Sequence, residues 1–270
     1  MALAFDAVGP SSAGVAGSSA APSWSHTVTG TNTLLLAAIV CDTDATTITS
    51  INYGGVAMTQ IIAGSGNYIH ANNAGAGWVA VYKLAGAAAG TATITAALSA
   101  SSVWEAGSLS FNGADTVTPL GTPQAAEGTS LSQPTMSFTP TTSGRIIAAF
   151  LGCGNFINSA TAPLTSRWIN NTGGSNAGGM SAGATAPSTG SAVTVAWSIT
   201  ADFWGIQAVE VLPGTGTSAL AGLASGTGAA QDITMTSNVM TSGPRYATAT
   251  SDLGGAYGLW ATPQYAQGGP

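Results

Sequence analysis

The sequence predicts an all-β fold: a jelly-roll-like β-sandwich with two related halves, followed by an extended C-terminal arm. Short stretches alternate apolar and polar residues, which is the period of a half-buried strand. Glycine, 37 of 270 residues, separates these stretches together with proline, as turns do. A strand-turn-strand pattern that starts at a glycine and passes a tryptophan occurs twice, over residues 90–111 and 190–211.

The composition restricts the partners of the chain. Charged residues make up 5%, against about 25% in ordinary soluble domains. Charge keeps proteins apart in solution, so its scarcity favours a surface covered by other subunits. A secreted β-protein with a Ser/Thr surface is the alternative. The few cations are scattered, which argues against nucleic-acid binding, and no apolar run reaches the ~20 residues of a membrane-spanning helix. We therefore expect no nucleic acid and no membrane insertion.

The N-terminus and the cysteines indicate the compartment. The first residues lack the basic start and the apolar core of a signal peptide, which predicts that the chain is made and assembled in a cytoplasm. In that compartment Cys41 and Cys153 are expected to be buried thiols. A disulfide between them is the alternative.

The chain divides into three parts. Residues 1–22 predict an N-terminal edge strand and a loop, and residues 23–212 predict the sandwich, with half-repeats at about 23–112 and 135–212. Residues 115–134, polar and marked by proline, are expected to link the halves. In the first half, strands are predicted over residues 23–29, 34–41, 48–53, 56–62 and 78–84 and twice within 90–112.

The two halves share residues at constant spacing. The second half shows strand patterns over 135–139, 145–153 and 190–211, but residues 170–187 show no counterpart of the hairpin region of the first half. The equivalences that predict a duplication are Ser25/Ser137, Thr27/Thr139, Leu34/Ile146, Cys41/Cys153, Thr49/Thr165 and Trp104/Trp204. Two four-strand halves fit a double Greek-key jelly roll.

Residues 213–270 are rich in Gly, Ala and Thr and have too little apolar surface to form a core of their own. They nevertheless contain an unusual number of large side chains for a linker. The segment therefore predicts an arm that becomes ordered on a neighbouring subunit; a floppy tail is the alternative. The arm residues expected to make this contact are Tyr246, Tyr257, Leu259, Trp260 and Tyr265.

The sequence contains no convincing catalytic set. The candidate bases are His26 and His70, and there is no Gly-x-Ser-x-Gly nucleophile turn. Glu105 and Glu210 follow the two tryptophans, but the duplication aligns Glu210 with Ser110, which argues against a glycosidase pair. We therefore expect no catalytic residues and no enzyme activity.

Metal and cofactor motifs are also missing. Asp42 and Asp44 could offer oxygen ligands to Ca²⁺, but the further acids of a calcium loop are absent, and a turn is the simpler interpretation. Cys/His spacing of the zinc type does not occur. No metal and no cofactor are expected.

Two loops are the best candidates for ligand binding. They combine aromatic rings with amides, as sugar sites do, on loops that could extend from a sandwich. The alternative is that Asn and Gly serve turn geometry there. The candidate residues are Tyr68, His70, Asn72, Asn73, Trp168 and Asn171.

Four ordered segments, residues 33–40, 51–59, 81–95 and 107–121, together resemble a β-sandwich domain of tailed-bacteriophage virion proteins, often called minor tail proteins and found in phages of actinobacteria. The resemblance covers about residues 23–212, and residues 222–230 resemble linker repeats of such proteins. It implies a non-enzymatic structural protein of the virion, in the tail, at its tip or decorating the capsid. We expect a homo-oligomer, a trimer or higher, that contacts other virion proteins. The alternatives are an adhesin that binds a host-envelope glycan and, third, a secreted glycan hydrolase.

Overall fold

A computed structural model describes residues 2–62, 77–172 and 179–214 of the chain. Every helix or strand assigned in these residues is a β-strand, and the strand pairs are antiparallel. The predicted all-β, β-sandwich class is confirmed. Within the same ranges, no helix is long and apolar enough to cross a membrane.

The first half of the chain forms a sandwich with its own apolar core. Its strands are β1 (Ala4–Gly9), β2 (Val15–Ser19), β3 (Ser23–Val28), β4 (Leu34–Cys41), β5 (Ile48–Tyr53), β6 (Val56–Ala57), β7 (Thr59–Gln60), β8 (Trp78–Ala85), β9 (Gly90–Leu98) and β10 (Ser102–Asn112). The large sheet has the order β1-β10-β4-β8-β7, with β2 also paired to β10. The small sheet has the order β3-β9-β5-β6.

The second half repeats this plan around a second core. Its strands are β11 (Gln124–Leu131), β12 (Thr135–Phe138), β13 (Ser143–Cys153), β14 (Ile157–Ala160), β15 (Thr165–Asn170), β16 (Met180–Thr189), β17 (Val193–Ile199) and β18 (Asp202–Val211). The large sheet has the order β11-β18-β13-β16-β15, and the small sheet has the order β12-β17-β14. Each half therefore closes a sandwich of its own instead of supplying four strands to a shared one.

Strand register supports the duplication. Cys41 in β4 lies opposite Trp104 in β10, and Cys153 in β13 lies opposite Trp204 in β18. Both tryptophans are buried, as expected for residues that anchor the ends of strands. The pattern that predicted the repeat therefore marks equivalent positions of two complete sandwiches.

One predicted equivalence is wrong. Thr49 lies in β5, which pairs with β9 in the small sheet of the first sandwich. Thr165 lies in β15, which pairs with β16 in the large sheet of the second. The strand that corresponds to β5 is β14, because β14 pairs with β17. The Thr-Ser match thus arises by chance in a chain rich in both residues.

Several strands lie where the sequence suggests none, among them β14 (Ile157–Ala160). β2 falls in the expected loop 9–22, β11 in the expected link 115–134, and β16 in residues 170–187. β16 is a central strand made of small residues, so it lacks the apolar alternation from which strands are predicted. β11 pairs with β18 as β2 pairs with β10, so the link is the N-terminal edge of the second sandwich.

The two large sheets pack face to face and enclose a third apolar core. Such packing buries the outer faces of β4, β10, β13 and β18, and this explains why these strands are buried on both sides. The buried residues of this core are Leu34, Leu36, Ala38, Val81, Leu109, Phe111, Ala114, Ala148, Phe150, Trp168, Val209 and Val211.

Hydrogen bonds across this interface are nearly symmetric. Val79 and Ser181 hold equivalent positions, each one residue after the partner of a cysteine. The Ser181 amide donates to Glu105 Oε2 (2.8 Å), and Gln207 Nε2 donates to the Val79 carbonyl (2.9 Å). Glu105 and Gln207 are fully buried. Each sandwich thus offers a buried polar side chain to the same backbone position of the other, as subunits of a two-fold dimer do.

A tryptophan covers a glycine at the edge of each large sheet. Gly17 lies opposite Trp104, and Gly128 lies opposite Trp204. A Cβ atom at Gly17 would lie 2.6 Å from the Trp104 ring, and one at Gly128 would lie 2.7 Å from the Trp204 ring. We expect Gly17→Ala and Gly128→Ala each to lower the free energy of unfolding by about 2 kcal/mol, measured by urea denaturation.

The control is Gly86→Ala, because Gly86 has a φ of 67° and no atom near its Cβ position. Its cost comes from backbone strain alone, about 1 kcal/mol, and does not depend on a tryptophan. Replacing Trp104 by leucine should reduce the cost of Gly17→Ala and leave that of Gly86→Ala unchanged. An equal cost of Gly17→Ala in both backgrounds would contradict the packing role.

Candidate functional site

The predicted ligand residues do not form one described site. Tyr68, His70, Asn72 and Asn73 lie in residues 63–76, outside the described residues. The predicted arm residues, Tyr246, Tyr257, Leu259, Trp260 and Tyr265, lie beyond Gly214 and are likewise outside them. Trp168 and Asn171 are therefore the predicted site residues whose surroundings are defined.

Trp168 is a core residue, and its prediction as a sugar platform is wrong. Its exposed fraction is 1%. The ring centroid lies 5.8 Å from that of Phe150, and Nε1 donates to Ser181 Oγ over 3.4 Å. Gly107 and Gly183 lie so close to the indole that a Cβ on either would overlap it. A sugar in solution therefore has no ring face on which to stack.

The side chain of Asn171 is occupied within the protein. Its Oδ1 accepts from the Ile157 amide and its Nδ2 donates to the Ile157 carbonyl, both over 2.9 Å. The Gln124 side chain bonds to Thr139 in the same way: its Oε1 accepts from the Thr139 amide over 3.3 Å, and its Nε2 donates to the Thr139 carbonyl over 3.1 Å. Each side-chain amide thus bonds to the backbone N–H and C=O of one residue, as a neighbouring strand would do. Asn171 thus closes the edge of β14, a role that the sequence does not reveal.

A serine and a histidine meet in the first sandwich without forming a catalytic pair. His26 Nδ1 and Ser108 Oγ are 2.8 Å apart, Trp24 Nε1 donates to this hydroxyl (3.0 Å), and the hydroxyl donates to the Gly9 carbonyl (3.2 Å). Ser108 and His26 are 0% and 1% exposed, so substrate cannot reach them. The alternation over residues 23–28 places Trp24 and His26 on one face of β3, and that face is buried.

Burial lowers the pKa of His26 to about 4, against a smaller opposing effect of the Asp6 charge. The neutral ring is the form that a buried site favours. His26 Nε2 is buried and has no hydrogen-bond partner among the described residues. A catalytic histidine would need that nitrogen to face a substrate or an orienting group. The cluster therefore holds β1 and β3 together.

A half-buried carboxylate in the first sandwich and a buried one in the second anchor loops. Asp6 accepts from the amide and hydroxyl of Thr29 and from Ser110 Oγ (2.7 Å). Glu210, at the position of Ser110, accepts from the amide and hydroxyl of Thr141, the residue equivalent to Thr29. The equivalent turn in each sandwich is thus bound by a carboxylate. In the first sandwich the carboxylate comes from β1, and in the second it comes from β18.

These carboxylates are structural acids. Burial raises the pKa of Glu210, but the hydrogen bonds from Thr141, Arg145 and Ser188 outweigh it, so the net pKa lies below the ordinary value. The pKa of Asp6 is lowered in the same way. Arg145 also forms an ion pair with Glu210 at 3.0 Å. Acids held in their charged form by donors from their own chain are poor general acids.

The cysteines are free and buried, as predicted. Burial raises the pKa of the Cys41 thiol to about 12 and also raises that of Cys153. Thiols held in the neutral form are poor nucleophiles and metal ligands. Among the described residues, no group of three or more His, Cys, Asp or Glu side chains could hold a metal ion.

The outer faces of the small sheets are a candidate contact surface. In the first sandwich, hydroxyl side chains of β3 and β9 lie opposite each other and point outward, and no charged side chain lies on these strands. The second sandwich has Thr135, Ser137 and Thr194 at comparable exposed positions. The hydroxyl residues of the first face are Ser23, Ser25, Thr27, Thr91, Thr93 and Thr95.

The hydroxyl-covered outer faces of the small sheets are therefore a surface that a partner could contact. The crevice between the sandwiches at Cys41 and Cys153 has room for little more than one water molecule.

Comparisons of the chain with protein-family models, with curated proteins and with solved structures found no match.

Proposed function

We propose that the chain is a non-enzymatic structural component of a bacteriophage virion, a minor tail or tail-tip protein or a capsid decoration protein, that acts through contacts between subunits. The observation that carries the proposal is the hydroxyl-covered outer face of the small sheets. Such a face can be buried against a protein without removing charges from water, which is the costly step for a charged surface.

The distribution of charge supports the same function. Glu105 and Glu210 are buried, and Arg145 is paired with Glu210. Arg167 lies over the Phe5 ring at 3.8 Å. Four of the few charged side chains thus make contacts within the fold, and β3 and β9 carry no charged side chain on their outer face. The expected partners are copies of the chain, in a trimer or higher oligomer, and other virion proteins.

The resemblance of residues 33–40, 51–59, 81–95 and 107–121 to phage virion domains supplies the location. Mass spectrometry of purified virions of the encoding phage, with immunogold electron microscopy, tests it. We expect the chain in intact particles, with label at the tail or on the capsid. Its presence in the infected-cell lysate but absence from purified particles would contradict the proposal.

Binding of a host-envelope glycan, as an adhesin, remains the alternative function. Of its candidate residues, Tyr68, His70, Asn72 and Asn73 remain. Trp168 is buried and the Asn171 amide is bound to Ile157. Binding of the whole protein to host cell walls, compared between wild type and Tyr68→Ala, separates the two functions. Strong binding that Tyr68→Ala abolishes would favour the adhesin, whereas virion incorporation without wall binding favours the structural role.

A further inference from the structure

The edge strands of the second sandwich are closed by contacts within the chain. Gln124 occupies the backbone groups of Thr139, just after β12, and Asn171 occupies those of Ile157 in β14. The Ile169 amide in β15 donates to the Ser12 carbonyl of the first sandwich over 3.1 Å. β11 carries the exposed charge of Glu127, which discourages pairing with another strand.

Edges of the first sandwich are shorter or covered. β6 and β7 have two residues each, too few for a stable strand contact. β3 is tied to β1 where Thr29 binds Asp6 and where Gly9 lies against the His26 ring. These features match the ways in which natural sheets avoid pairing with other chains.

β2 has none of these protections. Val15–Ser19 contains no charged residue and no proline, and its register with β10 is unbroken from Ser102 to Ala106. An antiparallel edge strand directs about half of its backbone donors and acceptors away from its partner. The groups of β2 that point away from β10 have no backbone hydrogen-bond partner in the described part of the chain. They form an open template at the edge of the large sheet.

We infer that β2 pairs antiparallel with β2 of a second copy and joins two large sheets into one. An uncharged strand is complementary to itself about a two-fold axis, because each donor meets an acceptor and no like charges face each other. A second copy also brings the same open edge, so one contact covers both. The inference rests on the proposed assembly function and is compatible with a trimer-based oligomer of dihedral symmetry.

The test is Ser18→Lys in the full chain, followed by sedimentation velocity over a range of protein concentrations. Ser18 is exposed, so the fold should be kept. The two-fold axis introduces the lysine twice, and we expect association to weaken about tenfold or more. Ser18→Thr, which adds no charge, should assemble like wild type. Ser191→Lys, in the exposed turn between β16 and β17, is the matched charge control and should leave this contact intact.

The outcomes separate the two proposals. Loss of one association step in Ser18→Lys, but not in Ser18→Thr or Ser191→Lys, supports pairing through β2. Wild-type assembly that Ser18→Lys leaves unchanged overturns this inference and leaves the structural function standing. A wild-type chain that is monomeric at every concentration, yet present in virions, overturns self-pairing and favours other virion proteins as the partners.

Discussion

Replacing Trp168 by alanine is expected to lower the free energy of unfolding by about 4 kcal/mol, the cost of removing a fully buried tryptophan from a packed core. The indole fills the space between the large sheets, against Phe150 and the backbone of Gly107 and Gly183. Those strands are held by their own sheets and cannot collapse into the cavity. Urea denaturation measures the loss, provided that the free energy of unfolding depends on urea concentration with the same slope in wild type and variant.

Two further variants make this prediction specific. Phe156→Ala is the control, since that ring is 41% exposed and its loss should change stability by about 0.5 kcal/mol or less. Gly183→Ala should cost about 2 kcal/mol or more because its Cβ overlaps the indole, and this cost should shrink in Trp168→Ala. A small effect of Trp168→Ala, together with lost glycan binding, would restore Trp168 as a ligand residue.

Lowering the pH from 6.5 to 4 is expected to reduce the free energy of unfolding by about 3 kcal/mol through His26 alone. In the unfolded chain His26 takes up a proton below its ordinary pKa of 6.5, whereas in the fold it does so only below about 4. Between these values the unfolded state binds more protons, so acid favours unfolding. The facing groups are Ser108, which bonds to Nδ1, and Asp6, whose charge opposes the shift only in part.

Variants of the two histidines separate their contributions. His26→Gln should be less stable at neutral pH and should lose most of the slope between pH 6.5 and 4. His70→Gln should keep that slope. The lowered pKa values of Asp6 and Glu210 add a separate loss of stability at lower pH, as these carboxylates take up protons in the fold. A slope that disappears with His70→Gln, and not with His26→Gln, would show that the assignment is wrong.

The sequence predicts the fold class well because apolar alternation records which face of a strand is buried. Residues 34–41 and 146–153 contain no polar or charged side chain apart from the two cysteines, and they lie in the central strands between two cores. β16 escapes prediction because its buried positions must be small. Gly183 leaves room for the Trp168 ring, so the property that makes the strand fit also removes its apolar signal.

The candidate site was harder to predict because aromatic and amide residues serve loops, cores and ligands alike. Trp168 follows a loop in sequence but lies in the third core, which exists only when two sandwiches pack together. Asn171 follows the same strand and forms a tertiary contact with Ile157. The local sequence pattern does not show which distant residues will meet in the fold. The contact between Gln124 and Thr139 could not be predicted for the same reason.

The face-to-face packing of the large sheets has a consequence for synthesis. When the first sandwich leaves the ribosome, the side chains of Leu34, Leu36 and Phe111 have no cover, because the strands that bury them are encoded later. Until the second sandwich folds, two nascent chains on one messenger can meet through these faces. The tether within a single chain favours the correct partner, since it holds that partner at a high effective concentration.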